Sequence, residues 1–505
     1  MRYFGNLAFI ILLSFFSGCT TPTTPSVTSS HDQVITPNDM NVTSVFYERM
    51  FKDGKPNVAM LNLFFTQMPK GGDLHHHYTG SLYVETYLDW VKARGWFIDT
   101  NTFKIVQTKN SGDNNVITVD ALRVDDKNYR KLLTLWSDKD YDNHFHEQLP
   151  PDSNFFNTFG YFGPISGDKE KMQEGLKIIK QRAIDENVMY VETMLSRVGV
   201  DCTTYFNANQ IKSYNDRLRN NPKSEDLNKV LDEIIFIYTK NNAKAFNTKV
   251  QMFVNSLNSL HQGIDDANFT MRYQTYASRG NEPLQVFTDL LSGYAAAKNS
   301  PLIVGVNIVA PENSVVAIDD YTLHMRMFAF LNGKYPNVHR SLHAGELTLG
   351  MVEPKELLFH INEARNIAGA ERIGHGVDLP YEKNSIALLQ NLKKNEVAIE
   401  INLTSNDFIL GVAGSEHPYS IYAKYGVPIV ISTDDSGVSR NNLSHEYVLL
   451  ASRYHPSYET IKEYVYNSIN YSFLTKKEKD ALKKQLAQKF LAFEKEMSAL
   501  ANSFQ

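Results

Sequence analysis

Short apolar runs rich in β-branched residues recur along the chain, each followed by a stretch long enough for a helix. The first ends at His77, shortly after Met68-Pro69-Lys70; others cover residues 188–192, 269–274 and 302–308. Two more end at His343 and His375, and the last pair covers 397–402 and 428–433. Eight strands alternating with helical sequence predict an α/β fold, a (β/α)8 barrel of TIM type. In such a barrel the strand C-termini converge on one rim, so residues far apart in sequence meet there.

Two connections exceed a plain crossover helix. The one between the first two strands contains an aromatic segment at 154–162, where Phe155, Phe159 and Phe162 recur at helical spacing. That pattern fits a core-filling helix, a wall over the barrel mouth, or both at once. Residues 207–247 are a second insertion, mostly polar and helical, read as scaffold. At the end, Leu482, Leu486, Phe490 and Phe493 form one apolar face and predict an amphipathic helix over 476–497.

Composition changes the picture at the N-terminus. Arg2 precedes an apolar run at 7–16 and then Ser17-Gly18-Cys19, which has the form of a bacterial export signal over 1–18 with a lipobox cysteine. The run falls short of the roughly 20 apolar residues that span a bilayer. Residues 19–44, rich in Thr, Pro and Ser at their start, are expected to be a flexible tether, leaving 45–505 as the folded barrel domain. With Cys19 lipidated, Cys202 has no disulfide partner, and a thiolate metal site is excluded. The expected location is outside the cytoplasm, on the outer membrane facing the periplasm or the cell surface if the source is Gram-negative. A net charge of −5 offers no broad basic surface, so nucleic acid is not an expected partner and membrane contact is expected only through the lipid. Oligomeric state is not legible.

The candidate chemistry lies at strand ends. His75 and His77 are one residue apart, so on a strand both imidazoles point to the same side, and His76 points to the other. His343 and Asp434 end later strands, and three imidazoles with one carboxylate suit a single catalytic zinc. His375, on a neighbouring strand end, is positioned to orient the attacking water and take its proton. Glu346, three residues after His343, is positioned to hand a proton to whatever is attacked.

The set Met68-Pro69-Lys70, Leu74-His75-His76-His77, Gly80-Ser81-Leu82, His343-Ala344-Gly345-Glu346, Gly374-His375-Gly376 and Ser432-Thr433-Asp434-Asp435 resembles the adenosine deaminase family of the amidohydrolase superfamily. The tail Asn467 to Leu474 is also similar to the family, and the length, the export signal and the long first insertion are most similar to its secreted branch, the adenosine deaminase-related growth factors. The resemblance implies zinc at His75, His77, His343 and Asp434. It implies that Glu346 protonates a purine ring nitrogen and that Asp435 hydrogen-bonds the imidazole side of the purine. The expected reaction converts adenosine or 2′-deoxyadenosine to inosine or 2′-deoxyinosine plus ammonia. Two positions depart from the family. Thr79 stands where an acidic residue commonly contacts the sugar, and Val309-Ala310-Pro311-Glu312 replaces a segment whose glycine N–H meets the purine. Since proline has no N–H, either Glu312 supplies the contact after a small shift or the base is read differently. These departures leave open a modified adenosine or another amino-heterocycle as substrate. A nucleoside-binding or signalling protein would have lost Glu346 or His375, and both are present. The fourth strand ends without a lysine to bridge two metals, which disfavours a binuclear hydrolase.

Overall fold

The computed structural model describes residues 37–138, 151–220 and 225–503. The export signal, Cys19 and most of the tether lie outside the described residues. Eight parallel strands form one sheet: β1 (Gly72–His77), β2 (Tyr190–Met194), β3 (Thr270–Ser278), β4 (Ile303–Val309), β5 (His339–Ala344), β6 (Arg372–His375), β7 (Ala398–Ile401) and β8 (Ile429–Ile431). Neighbours in the sheet are neighbours in sequence, and its two edges meet at a parallel bridge between His76 and Asp434. The Asp434 N–H donates to the His75 carbonyl at 2.9 Å, and the His77 N–H to the Asp434 carbonyl at 3.3 Å. The sheet is therefore a nearly closed barrel with helices outside it. Every residue of β6, β7 and β8 is buried, as expected for strands covered on both faces.

The folded sequence starts earlier than residue 45. Helix α1 (Pro37–Glu48) takes up the end of the expected tether. Phe46 and Tyr47 are buried, and the Thr43 hydroxyl donates to the Glu494 carbonyl at 3.2 Å. Proline at a helix start costs nothing, because the first N–H groups lack an intrahelical partner anyway.

The aromatic segment of the first insertion forms α2 (Pro151–Ser166), which packs across the barrel mouth on α3 (Leu403–Leu410), with Phe155 and Phe408 ring centroids 6.1 Å apart. Phe155 and Phe162 are buried, and Phe155 and Phe156 also line the cavity at the mouth. Both expectations for this segment thus hold in one helix. At the far end of the chain α4 (Lys476–Ser503) buries Leu482, Leu486, Phe490 and Phe493, with Phe493 5.1 Å from Phe64.

Candidate active site

Four residues from three strand ends meet at the rim. Nε2 of His77 lies 3.2 Å from Nε2 of His343 and 3.2 Å from Oδ1 of Asp434, while Nε2 of His75 lies 3.4 Å from that same oxygen. One donor atom from each lies within 4.8 Å of every other. Their protonation follows from what stands behind them. Nδ1 of His75 is 2.8 Å from Glu400, which is held well below the usual carboxylate range against the pull of burial by Arg372 and His75. A carboxylate only accepts, so this nitrogen carries a proton, and in the neutral ring that a metal would need Nε2 turns a lone pair inward. Asn307 acts in the same way for His343. Its Oδ1 accepts the Ile308 N–H at 2.8 Å, which settles the amide orientation, and it also accepts from His343 Nδ1 at 3.0 Å. His75 Nε2 is buried and makes no hydrogen bond. Lone pairs and a carboxylate aimed at one spot repel unless a cation lies between them, and the donor set fits a zinc-type ion.

Gly374 makes room for this arrangement. A side chain there would come within 2.7 Å of His75 Cε1.

Glu346 and His375 join Asp434 in a second converging set of donors. His375 Nε2 is 3.6 Å from Glu346 Oε1. Burial first, then Asp434 and Glu312, push the Glu346 carboxyl well above its usual range, so it holds a proton. Burial also brings His375 down to about 3, so its imidazole is neutral. Two amide nitrogens converge on its Nδ1, from Asn406 at 2.9 Å and Asn402 at 3.3 Å. Three non-glycine residues at these strand ends take left-handed backbone: Ala310 (φ 85), His375 (φ 68) and Asp434 (φ 58). Such conformations cost energy and persist where the surroundings hold them, commonly at sites of function.

Asp435 lines the cavity beside Asp434, and burial raises its carboxyl to about 8. Gly80 is required opposite it, because a Cβ there would sit 1.5 Å from Asp435 Oδ1. Thr79 lies just after β1 in a short helical turn, where its carbonyl accepts from the Tyr87 hydroxyl at 2.6 Å.

Glu312 is placed differently from the expectation. It is fully buried and accepts the N–H groups of Gly345 at 3.1 Å and Glu346 at 3.0 Å, with His360 Nδ1 at 2.6 Å and Arg279 3.3 Å away. Both of its oxygens are engaged, so it supports the loop carrying Glu346 instead of facing the cavity. The residue of that segment that does line the cavity is Ala310. The remaining wall is apolar, from Phe155, Phe156 and Ile409.

Sequence reasoning did not assign Glu400, Asn307 or Asn406. A signal existed for Glu400 in Glu400-Ile401-Asn402, a charge inside a buried strand. The others act across strands and loops, which spacing along one segment does not reveal.

Residues 242–489 match the adenosine deaminase family model. This part of the chain belongs to the adenosine deaminase family. The adenosine deaminase of Clostridium kluyveri is 27% identical over 268 residues, covering 51% of this chain and 72% of that enzyme. That of Escherichia coli is 35% identical over 152 residues, covering 30% of this chain and only 42% of that enzyme. In fold, the chain is similar to an Arabidopsis N6-mAMP deaminase, with a TM-score of 0.54 at 17% identity over 84% of this chain and 99% of the other. The adenosine deaminase domain spans β3 to α4 and holds His343, Glu346, His375 and both aspartates, while His75 and His77 reach the site from β1. The chain is a metal-dependent aminohydrolase of adenosine deaminase type.

Proposed function

We propose that this protein hydrolytically deaminates adenosine and 2′-deoxyadenosine, with one zinc ion per chain. The observation that carries the reading is Glu346, a buried carboxyl that holds its proton beside His375 and Asp434. Zinc held by His75, His77, His343 and Asp434 would make a water nucleophilic near neutral pH. Glu346 gives its proton to the ring nitrogen next to the attacked carbon, which drains charge from the ring as the nucleophile adds. Asp435, raised to about 8, is protonated at neutral pH and donates to the imidazole side of the purine. Phe155, Phe156 and Ile409 exclude water from the base.

The lining described contains no lysine or arginine, and its titratable groups are imidazoles and carboxyls. This supports an uncharged nucleoside over a nucleotide. Thr79 and the Ala310-Pro311 segment support a second reading within the same chemistry, a modified adenosine or another amino-heterocycle.

The apolar run at 7–16 and Cys19 support export and lipid anchoring, with nucleoside salvage outside the cytoplasm as the use and a likeness to the secreted branch of the family. No helix among the described residues is long and apolar enough to cross a membrane.

Absorbance on mixing the protein with adenosine tests the reading. The expected result is a shift towards the inosine spectrum that is lost with a chelator and in Glu346→Gln, while AMP reacts poorly. A zinc-loaded, folded protein that leaves adenosine unchanged would sink it.

A further inference from the structure

The orientation of one chain of hydrogen bonds behind His375 follows from one backbone group. The Tyr419 N–H donates to Nδ1 of His417 at 3.1 Å, and a backbone N–H has no alternative role. Nδ1 of His417 is therefore the acceptor. His417 is buried, and burial brings it down to about 3, so the ring is neutral and carries its single proton on Nε2. That N–H points at Oδ1 of Asn406, 3.1 Å away. The amide of Asn406 is thereby oriented, and its other end, Nδ2, donates to Nδ1 of His375 at 2.9 Å. An imidazole nitrogen that accepts has no proton of its own.

We propose that His417 and Asn406 are positioning residues that fix His375 as the tautomer protonated on Nε2, so that the resting enzyme presents a hydrogen-bond donor to the reacting centre. The inference rests on the reading of this site as a deaminase centre only for its consequence in catalysis. The tautomer itself follows from geometry alone.

The consequence corrects the role expected for His375 from sequence. A neutral imidazole whose proton is already on the inward nitrogen has no lone pair there to take a proton from water. It orients the nucleophile by donating to its oxygen, holding an oxygen lone pair towards itself and leaving the water's own protons directed at acceptors such as Asp434. Asn402 lies 3.3 Å from the same Nδ1 and reinforces the pattern as a second donor, but it lacks an anchor of the kind Tyr419 gives through His417. The relay comes from α3 and the turn after it, a part of the chain that contributes no metal ligand.

The test is the nitrogen spectrum of the zinc-loaded protein with 15N-labelled histidine, His375 being assigned by the signals lost in His375→Asn. Two-bond 1H–15N correlations distinguish the tautomers directly. The expected wild-type pattern is a protonated Nε2 and an unprotonated Nδ1. Asn406→Asp has nearly the same shape but only accepts, so it should move the proton to Nδ1 and lower kcat by about 10- to 100-fold with KM little changed. His417→Ala frees the Asn406 amide to turn, and should populate both tautomers with a smaller loss. A wild-type His375 protonated on Nδ1 overturns the proposal, even in a protein that deaminates adenosine briskly. So does an Asn406→Asp protein that loses activity with the Nε2 proton still in place. A protein with the expected tautomer but without activity on adenosine would leave the relay standing and refute the proposed substrate instead.

Discussion

Gly374 has no side chain because His75 leaves no room for one. The clearance of 2.7 Å to a ring carbon is far inside contact distance, and β6 is pinned by its neighbours on both sides, so the ring must give way. Gly374→Ala is expected to turn His75 off its bond to Glu400 and weaken metal binding by about 10- to 100-fold, read by competition with a chromogenic chelator. Retention of wild-type affinity would mean that the ring tolerates displacement. Glu346→Gln separates chemistry from binding at the same rim. The amide keeps the shape and loses the transferable proton, so kcat should fall by about 10²- to 10⁴-fold while metal content stays unchanged. Loss of the metal together with activity would show that Glu346 supports the ion and not the proton transfer.

Helix α2 makes the clearest case at the scale of elements. It was legible as a helix because Phe155, Phe159 and Phe162 recur at its period, but that period did not distinguish core from wall, since one helix does both: Phe162 faces inward and Phe156 faces the cavity. Phe156→Ala should raise KM for the nucleoside more than it lowers kcat, because it removes apolar contact that is equally present before and during reaction. An unchanged KM would remove α2 from the binding wall. The strands were legible because burial on both faces makes them apolar runs, and the metal ligands because they end those runs. Helix α1 was hidden by the Thr, Pro and Ser around it, and Phe46 and Tyr47 anchor only its last turn. Asn307 and Glu312 were beyond reach because their partners lie on the next strand or its loop. The helix Tyr321–Lys334 adds a pH test away from the site. His324 is buried there, and burial lowers it to about 3. Below its unfolded value of roughly 6.5 the unfolded chain binds a proton that the native state refuses, so this histidine costs stability as pH falls from there towards 3. Urea midpoints should show wild type losing about 2 kcal/mol relative to His324→Gln between pH 7 and 5. A constant difference would mean that His324 does not titrate alone.

Across the whole barrel, the two imidazoles His343 and His75 are joined by one continuous polar chain through the interior. His343 donates to Asn307, whose amide donates to Gln274 at 3.1 Å, and Gln274 donates to Glu192 at 3.3 Å. Arg372 bridges Glu192 at 2.6 Å and Glu400 at 2.5 Å, and Glu400 returns to His75. Ser341 also donates to Glu400 at 2.7 Å. The C-terminal tail closes this ring from below. The Phe473 N–H donates to Glu192 at 2.6 Å, its ring lies 3.8 Å from the Arg372 guanidinium carbon, and the Tyr471 carbonyl accepts from Arg372 at 3.0 Å. Arg372 is thus the cation that bridges two buried carboxylates, and stability and metal binding share it. Arg372→Met leaves Glu192 and Glu400 without the guanidinium that bridges them, which should cost about 3–5 kcal/mol in urea unfolding. It should weaken metal binding as well, because Glu400 protonated by its neighbour's charge no longer orients His75. Adding Glu192→Gln to Arg372→Met removes one of the stranded charges, so the pair should be more stable than Arg372→Met alone. Strict additivity of the two losses would instead mean that the carboxylates do not feel each other through Arg372, and that the ring is a set of separate contacts.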